Sequence, residues 1–160
     1  METSSGIKRK ISTKEMILCA LFAALIAIGA FIKVPLPYVP FTMQLMFTTL
    51  AGILLGSRLG AMSTGIYIAI GLIGIPVFTK GGGIGYIFRP SFGYLVGFIV
   101  SAYVTGKVCE KLKASYKNYL LACLAGFVVT YAIGIVYKFI ILNFYAHTPA
   151  TLGVIFLSCL

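Results

Sequence analysis

Residues 41–75 read FTMQLMFTTLAGILLGSRLGAMSTGIYIAIGLIGI, two apolar runs at about 41–55 and 60–75 parted only by Gly56-Ser57-Arg58-Leu59. A membrane-spanning barrel is built of strands in which apolar and polar residues alternate, whereas these runs are continuously apolar. They predict helices. So short a connector makes the pair an antiparallel hairpin, with Arg58 at its tip marking one membrane face.

The same reading extends in both directions. A first apolar run covers about 16–34 and stops at Pro35-Leu36-Pro37-Tyr38-Val39-Pro40, where three prolines forbid a regular helix and predict an ordered connecting loop. Lys8, Arg9 and Lys10 precede this run as they would a signal peptide. The run is as long as a full span and more spans follow, so the first helix is expected to be retained. Beyond the hairpin, residues 76–90 read PVFTKGGGIGYIFRP, too irregular for a helix and too apolar for an ordinary solvated loop. A span at about 91–106, a basic connector holding Lys107, Lys111, Lys113 and Lys117, and a span at about 119–144 come next. After His147 and Pro149, the run 150–160 offers about eleven residues where a span needs about 20, which predicts a re-entrant segment or an incomplete chain.

Composition agrees with this layout. Of 160 residues 60% are hydrophobic and 10% charged, and the mean hydropathy is +1.04, so the chain needs a bilayer as solvent. The length allows about five or six spans and almost nothing outside the membrane, hence one membrane domain over 1–160. The four cysteines, Cys19, Cys109, Cys123 and Cys159, have no metal-ligand spacing and are read as small packing residues.

Charge is segregated. With a cytoplasmic N-terminus, Lys8, Arg9, Lys10, Lys14, Arg58, Lys107, Lys111, Lys113 and Lys117 share the cytoplasmic side, as the positive-inside rule requires. The acids Glu2, Glu15 and Glu110 fall on that side too. Lys33, Lys80, Arg89 and Lys138 are left toward the outer side without a carboxylate, and an anionic ligand would supply the missing partner. Lys33 and Lys138 can equally snorkel to water or lipid phosphate. Arg89 is the stronger candidate, because a guanidinium offers paired planar donors that match a carboxylate. Gly81-Gly82-Gly83 is either a flexible outer connector or part of a lid, its backbone amides approaching a small amphipathic molecule, with Tyr86 and Tyr94 as flat faces and the flanking prolines limiting the loop's entropy. Ala20, Ala24 and Ala23, Ala27 on the first helix suit close helix packing, either within the bundle or against a partner subunit.

Several classes are excluded. The chain has no phosphate-binding G-x-x-x-x-G-K-[ST] loop, so it does not hydrolyse ATP by that machinery. One histidine, no aspartate and three peripheral glutamates leave no acid/base pair, metal cluster or midplane carboxylate for an enzyme or an ion-coupled carrier. No cofactor, metal or nucleic acid is expected.

The order PFT-x-Q, LLG-x-R-LGA, GLIG-x-PVF, polyglycine and then RPSFGY, within Val39 to Lys107, resembles the central block of the BioY family, the biotin-specific S components of energy-coupling-factor transporters. Weaker similarity continues through Tyr131, Gly134 and Tyr137. The resemblance implies an all-α six-helix bundle in a prokaryotic plasma membrane that binds biotin from outside. It also implies partners: membrane lipid, a transmembrane coupling protein docking on the alanine motif of the first helix, and two ABC-type ATPases. The family pattern carries over Arg89, Gly81, Gly82, Gly83, Tyr86, Tyr94 and Gln44. Biotin chemistry adds Tyr137 and Phe88 to the aromatic wall, and Asn143 beside Gln44 for the ureido group. Family members continue through a complete sixth helix bearing an Asp and a Lys, which this chain lacks, so that helix is read as truncated here. An S component for another vitamin, or a non-functional remnant, are the alternatives.

Overall fold

The computed structural model describes residues 11–35, 40–112 and 115–144. Helix α1, Thr13–Phe31, opens where the Ser12 backbone N–H donates to the Glu15 carboxylate at 2.8 Å, with that acid in the positively polarised first turn. Two short antiparallel strands follow, β1 Lys33–Pro35 and β2 Pro40–Thr42, with Val34 opposite Phe41. The expected proline-rich loop is thus flanked by a two-stranded ribbon, and residues 36–39 lie outside the described residues.

Helix α2, Met43–Ile73, contains both runs of the predicted hairpin, and Gly56 breaks it with φ 85° and ψ 175°. A β-carbon on Gly60 would lie 2.8 Å from the Gly52 α-carbon. Along an unbroken helix the two residues would stand about 12 Å apart, so the chain doubles back and α2 traverses the bundle twice. The expected four-residue connector shrinks to one residue, and 57–59 already belong to the second arm. The reason is local: Gly56 adopts a conformation that essentially only glycine takes. Glu110 supplies the rest, accepting from the Ser57 backbone N–H at 2.9 Å and from its hydroxyl at 2.8 Å, which caps the second arm. The second arm closes on Gly74 in the left-handed region.

A 3-10 helix, Ile84–Phe88, lies inside the stretch expected to be irregular throughout. Helices α3, Phe92–Lys111, and α4, Tyr116–Phe144, complete the described fold. Lys107 and Lys111 ride on the last turns of α3 and Lys117 on the first turn of α4, so the basic connector is shorter than predicted; Lys113 and the run 150–160 lie outside the described residues.

Helix α2 sits between α1 and α3, and α4 packs on α3 while barely touching α2. The contacts are made by small residues: a β-carbon on Gly52 would meet the Ala102 carbonyl oxygen at 2.5 Å, and one on Gly97 the Thr130 carbonyl oxygen at 3.0 Å. Hydroxyls point inward at Thr48, Ser63, Thr64, Ser101, Thr105 and Thr130, while Leu54, Leu121, Val128 and Val136 face out. Among the described residues four helices are long and apolar enough to cross a membrane. This is an all-helical membrane fold apart from the small ribbon.

Replacing Gly56 by Ala is expected to cost about 1–3 kcal/mol through the strained backbone. Thermal unfolding in detergent should show the lowered midpoint. Gly65→Ala, with nothing within 4 Å of the added carbon, should not lower it.

Candidate functional site

The chain between α2 and α3 forms one end of the bundle, here called the loop end; the Gly56 turn marks the opposite, elbow end. After Pro76 the backbone makes a tight turn at Thr79-Lys80, in which Phe78 and Gly81 exchange both backbone hydrogen bonds at 3.2 Å. Gly81 takes φ 104°, which gives glycine its advantage there. The turn drops Phe78, 1% exposed, onto the second arm of α2 at Gly71, where a β-carbon would lie 2.2 Å from the ring.

Phe78 is the centre of an aromatic stack. Tyr67 meets it edge-on with centroids 5.6 Å apart, Tyr86 tilts against it at 4.5 Å, and the Arg89 guanidinium carbon stands 5.7 Å from the Tyr86 centroid. Tyr67 and Tyr86 are buried, whereas Arg89 is exposed. A desolvated ring beneath a guanidinium attracts it through its quadrupole and holds the cation at the surface in a defined place. Backbone bonds fix the same geometry: Gly83 N–H donates to the Gly71 carbonyl at 2.8 Å and Arg89 N–H to the Tyr86 carbonyl at 3.0 Å.

The glycines serve the loop's own packing. Gly81 and Gly83 spend their N–H groups inside the loop and on α2, and a β-carbon on Gly82 would lie 2.3 Å from the Ile75 carbonyl oxygen. They bring the loop down onto the end of its own helix and make it a fixed cap.

Other candidates are distributed around this cap. Tyr137 on α4 lies over Gly93, and its hydroxyl donates to the Ile87 carbonyl at 2.6 Å. Tyr94 belongs to a second aromatic group: its ring covers Gly134 and meets Tyr131 edge-on at 5.9 Å, and Tyr131 leans on Phe127 at 4.5 Å. Gln44, 4% exposed, sits in the first turn of α2, and its amide nitrogen has no hydrogen-bond partner among the described residues. Asn143 is half-buried near the loop end of α4, and Phe88 is exposed beside Arg89. The alanines divide between two faces of α1. Ala20 and Ala24 are exposed on the outer stripe with Ile17, Leu21 and Ile28, whereas Ala23 and Ala27 turn into the core.

Two residues of the stack, Tyr67 and Phe78, escape a reading by residue type because nothing marks them as polar or special. The available signal was a lone Phe between a proline and a glycine run, with Gly71 one turn beyond Tyr67. Among the described residues both carboxylates, Glu15 and Glu110, lie at the elbow end, with Glu110 also 3.7 Å from Lys107.

Hydroxyls inside, apolar side chains outside and an ordered cap at one end define a multi-pass membrane protein. Comparison with known proteins gives its family. The BioY family model matches residues 2–159, and the chain belongs to that family. A probable biotin transporter BioY of Lysinibacillus sphaericus is 45% identical over 91% of this chain and 75% of its own length. The biotin transporter BioY of Thermotoga maritima is 40% identical over 84% of this chain and 77% of its own. Among solved structures, the S-component for biotin from an ECF-type ABC transporter superposes with a TM-score of 0.76 at 26% identity, over 91% of this chain and 79% of that one. These relatives are transporters or transporter subunits, not enzymes.

Phe78→Ala is expected to remove about 3–5 kcal/mol of packing and release the cap from α2. Limited trypsin digestion should then cut faster after Lys80 than in the unchanged protein.

Proposed function

We propose that this chain is the biotin-binding subunit of an energy-coupling-factor uptake system, with the ligand held at the loop end and its carboxylate on Arg89. The observation that carries the reading is the Arg89 guanidinium, fixed over buried Tyr86 at an end of the bundle where the described residues offer no carboxylate. The names of the relatives supply the ligand. In this reading Gly81 to Gly83 and Phe78 build the cap, Tyr86 and Tyr94 contribute aromatic surface, and Tyr137 stands behind the cap with its hydroxyl on the Ile87 carbonyl. Gln44, with its unpartnered amide nitrogen, and Asn143 serve the ureido group. The N-terminus is cytoplasmic, since Arg58, Lys107, Lys111 and Lys117 gather at the elbow end, and the cap accordingly faces outside. Of the six helices this reading expects, α1, the two arms of α2, α3 and α4 account for five, and the sixth falls on 150–160, outside the described residues.

Energy for uptake comes from a transmembrane coupling protein and two ATPases. The exposed Ala20 and Ala24 stripe of α1 is the docking surface, where small residues allow close helix approach.

The direct test is titration of the detergent-purified chain with biotin, with thiamine, riboflavin and biotin methyl ester as competitors. Arg89→Ala is expected to weaken biotin binding by about 2 kcal/mol or more, roughly 30-fold, through loss of a charge-assisted pair. The methyl ester should lose a similar amount against the unchanged protein and little more against the variant, so the double cycle isolates the pair. Equal affinity for acid and ester would refute the assignment, and preference for thiamine or riboflavin would transfer it to another vitamin.

A further inference from the structure

Two tyrosine hydroxyls from different helices hold the cap. On α2, Tyr67 donates to the Val77 carbonyl at 3.2 Å, and that attachment is reinforced by buried Phe78 and the Gly83 to Gly71 bond. On α4, half-buried Tyr137 donates to the Ile87 carbonyl at 2.6 Å. Because α4 barely touches α2, the cap bridges two helices that scarcely pack on each other. Opening it on the α4 side disturbs little core, whereas opening it on the α2 side extracts Phe78.

The α4 attachment is prepared in the sequence. Within a 3-10 helix the Ile87 carbonyl would accept from the N–H of the third residue on. That residue is Pro90, which has no N–H, and Arg89 before it is extended with ψ 139° and leads the chain out of the helix, so the carbonyl is left for another donor. Gly93 then admits Tyr137, since a β-carbon there would lie 2.2 Å from the Tyr137 β-carbon, and Phe92 flanks the ring at 5.9 Å. Ile87 is one residue from Tyr86 and two from Arg89, so this bond also registers the cation relative to α4.

We infer that the Tyr137 hydroxyl is a releasable clasp: its bond to Ile87 governs opening of the cap along α4 and with it the rates at which ligand enters and leaves the Arg89 site. Tyr137 is thereby a positioning residue. The inference rests on the biotin-binding reading for its kinetic part only.

Tyr137→Phe keeps the ring and its contacts and removes the clasp. Loss of one hydrogen bond should speed amide hydrogen exchange across residues 84–89 by about fivefold, with exchange in the middle of α1 and α3 changing less as the folding control. Biotin association and dissociation should both accelerate by a similar factor, leaving Kd nearly constant. Unchanged exchange overturns the clasp whether or not biotin binds. Faster dissociation alone, with weakened Kd, overturns it by assigning the hydroxyl to the ligand. If the unchanged protein does not bind biotin, the ligand reading fails, and the exchange measurement still decides the clasp.

Discussion

A β-carbon placed on Gly52 would lie 2.5 Å from the Ala102 carbonyl oxygen, and one on Gly106 would lie 2.4 Å from the Ser57 nitrogen. Lipid tails are as apolar as leucine, so helices in a bilayer gain nothing by hiding apolar surface from each other and must be held by close packing and polar contacts. Backbones at this separation provide the first. Two inward hydroxyls provide part of the second, Ser63 donating to the Cys19 carbonyl of α1 at 2.9 Å and Thr105 to the Ala122 carbonyl of α4 at 3.3 Å. The elbow depends on the same closeness: Ser57 reaches Glu110 because Gly106 lets α3 come against the turn.

The cap continues this principle beyond the helices. Gly71 leaves room for Phe78, Gly82 lies against the Ile75 carbonyl, and Gly93 and Gly134 receive Tyr137 and Tyr94. Small residues at the helix ends make sockets, and the aromatic side chains fill them. Arg89 inherits its position from that arrangement through Tyr86, so the charge that would meet an anionic ligand is set by packing several residues away.

The sequence made the helical hairpin legible, because continuous apolar runs with a charged tip leave few alternatives in hydrocarbon. It also displayed the segregation of charge. The one-residue elbow was hidden, since Ser57-Arg58-Leu59 reads as a connector until Glu110 is known to cap it. Polyglycine reads equally as a flexible connector or as part of a lid, and only the structure shows positive φ at Gly81 and Gly83 serving an ordered cap. The alanines at Ala20, Ala23, Ala24 and Ala27 were visible as a pattern, but their division between two faces is a matter of helix rotation that composition does not encode. Tyr94, read with Tyr86 as an aromatic face, meets Tyr131 edge-on because α3 turns it toward α4, a contact that residue type alone does not reveal.

Pro90 and Tyr137 stand far apart in the chain yet answer the same question, namely which donor satisfies the Ile87 carbonyl. Pro90 brings no N–H and the extended Arg89 before it leads the chain out of the helix, so a phenol from another helix meets that oxygen. A phenylalanine at 137 leaves the carbonyl to water. A backbone oxygen of the loop is completed by a side chain that arrives from another helix, and the loop's own sequence does not contain the group that finishes it.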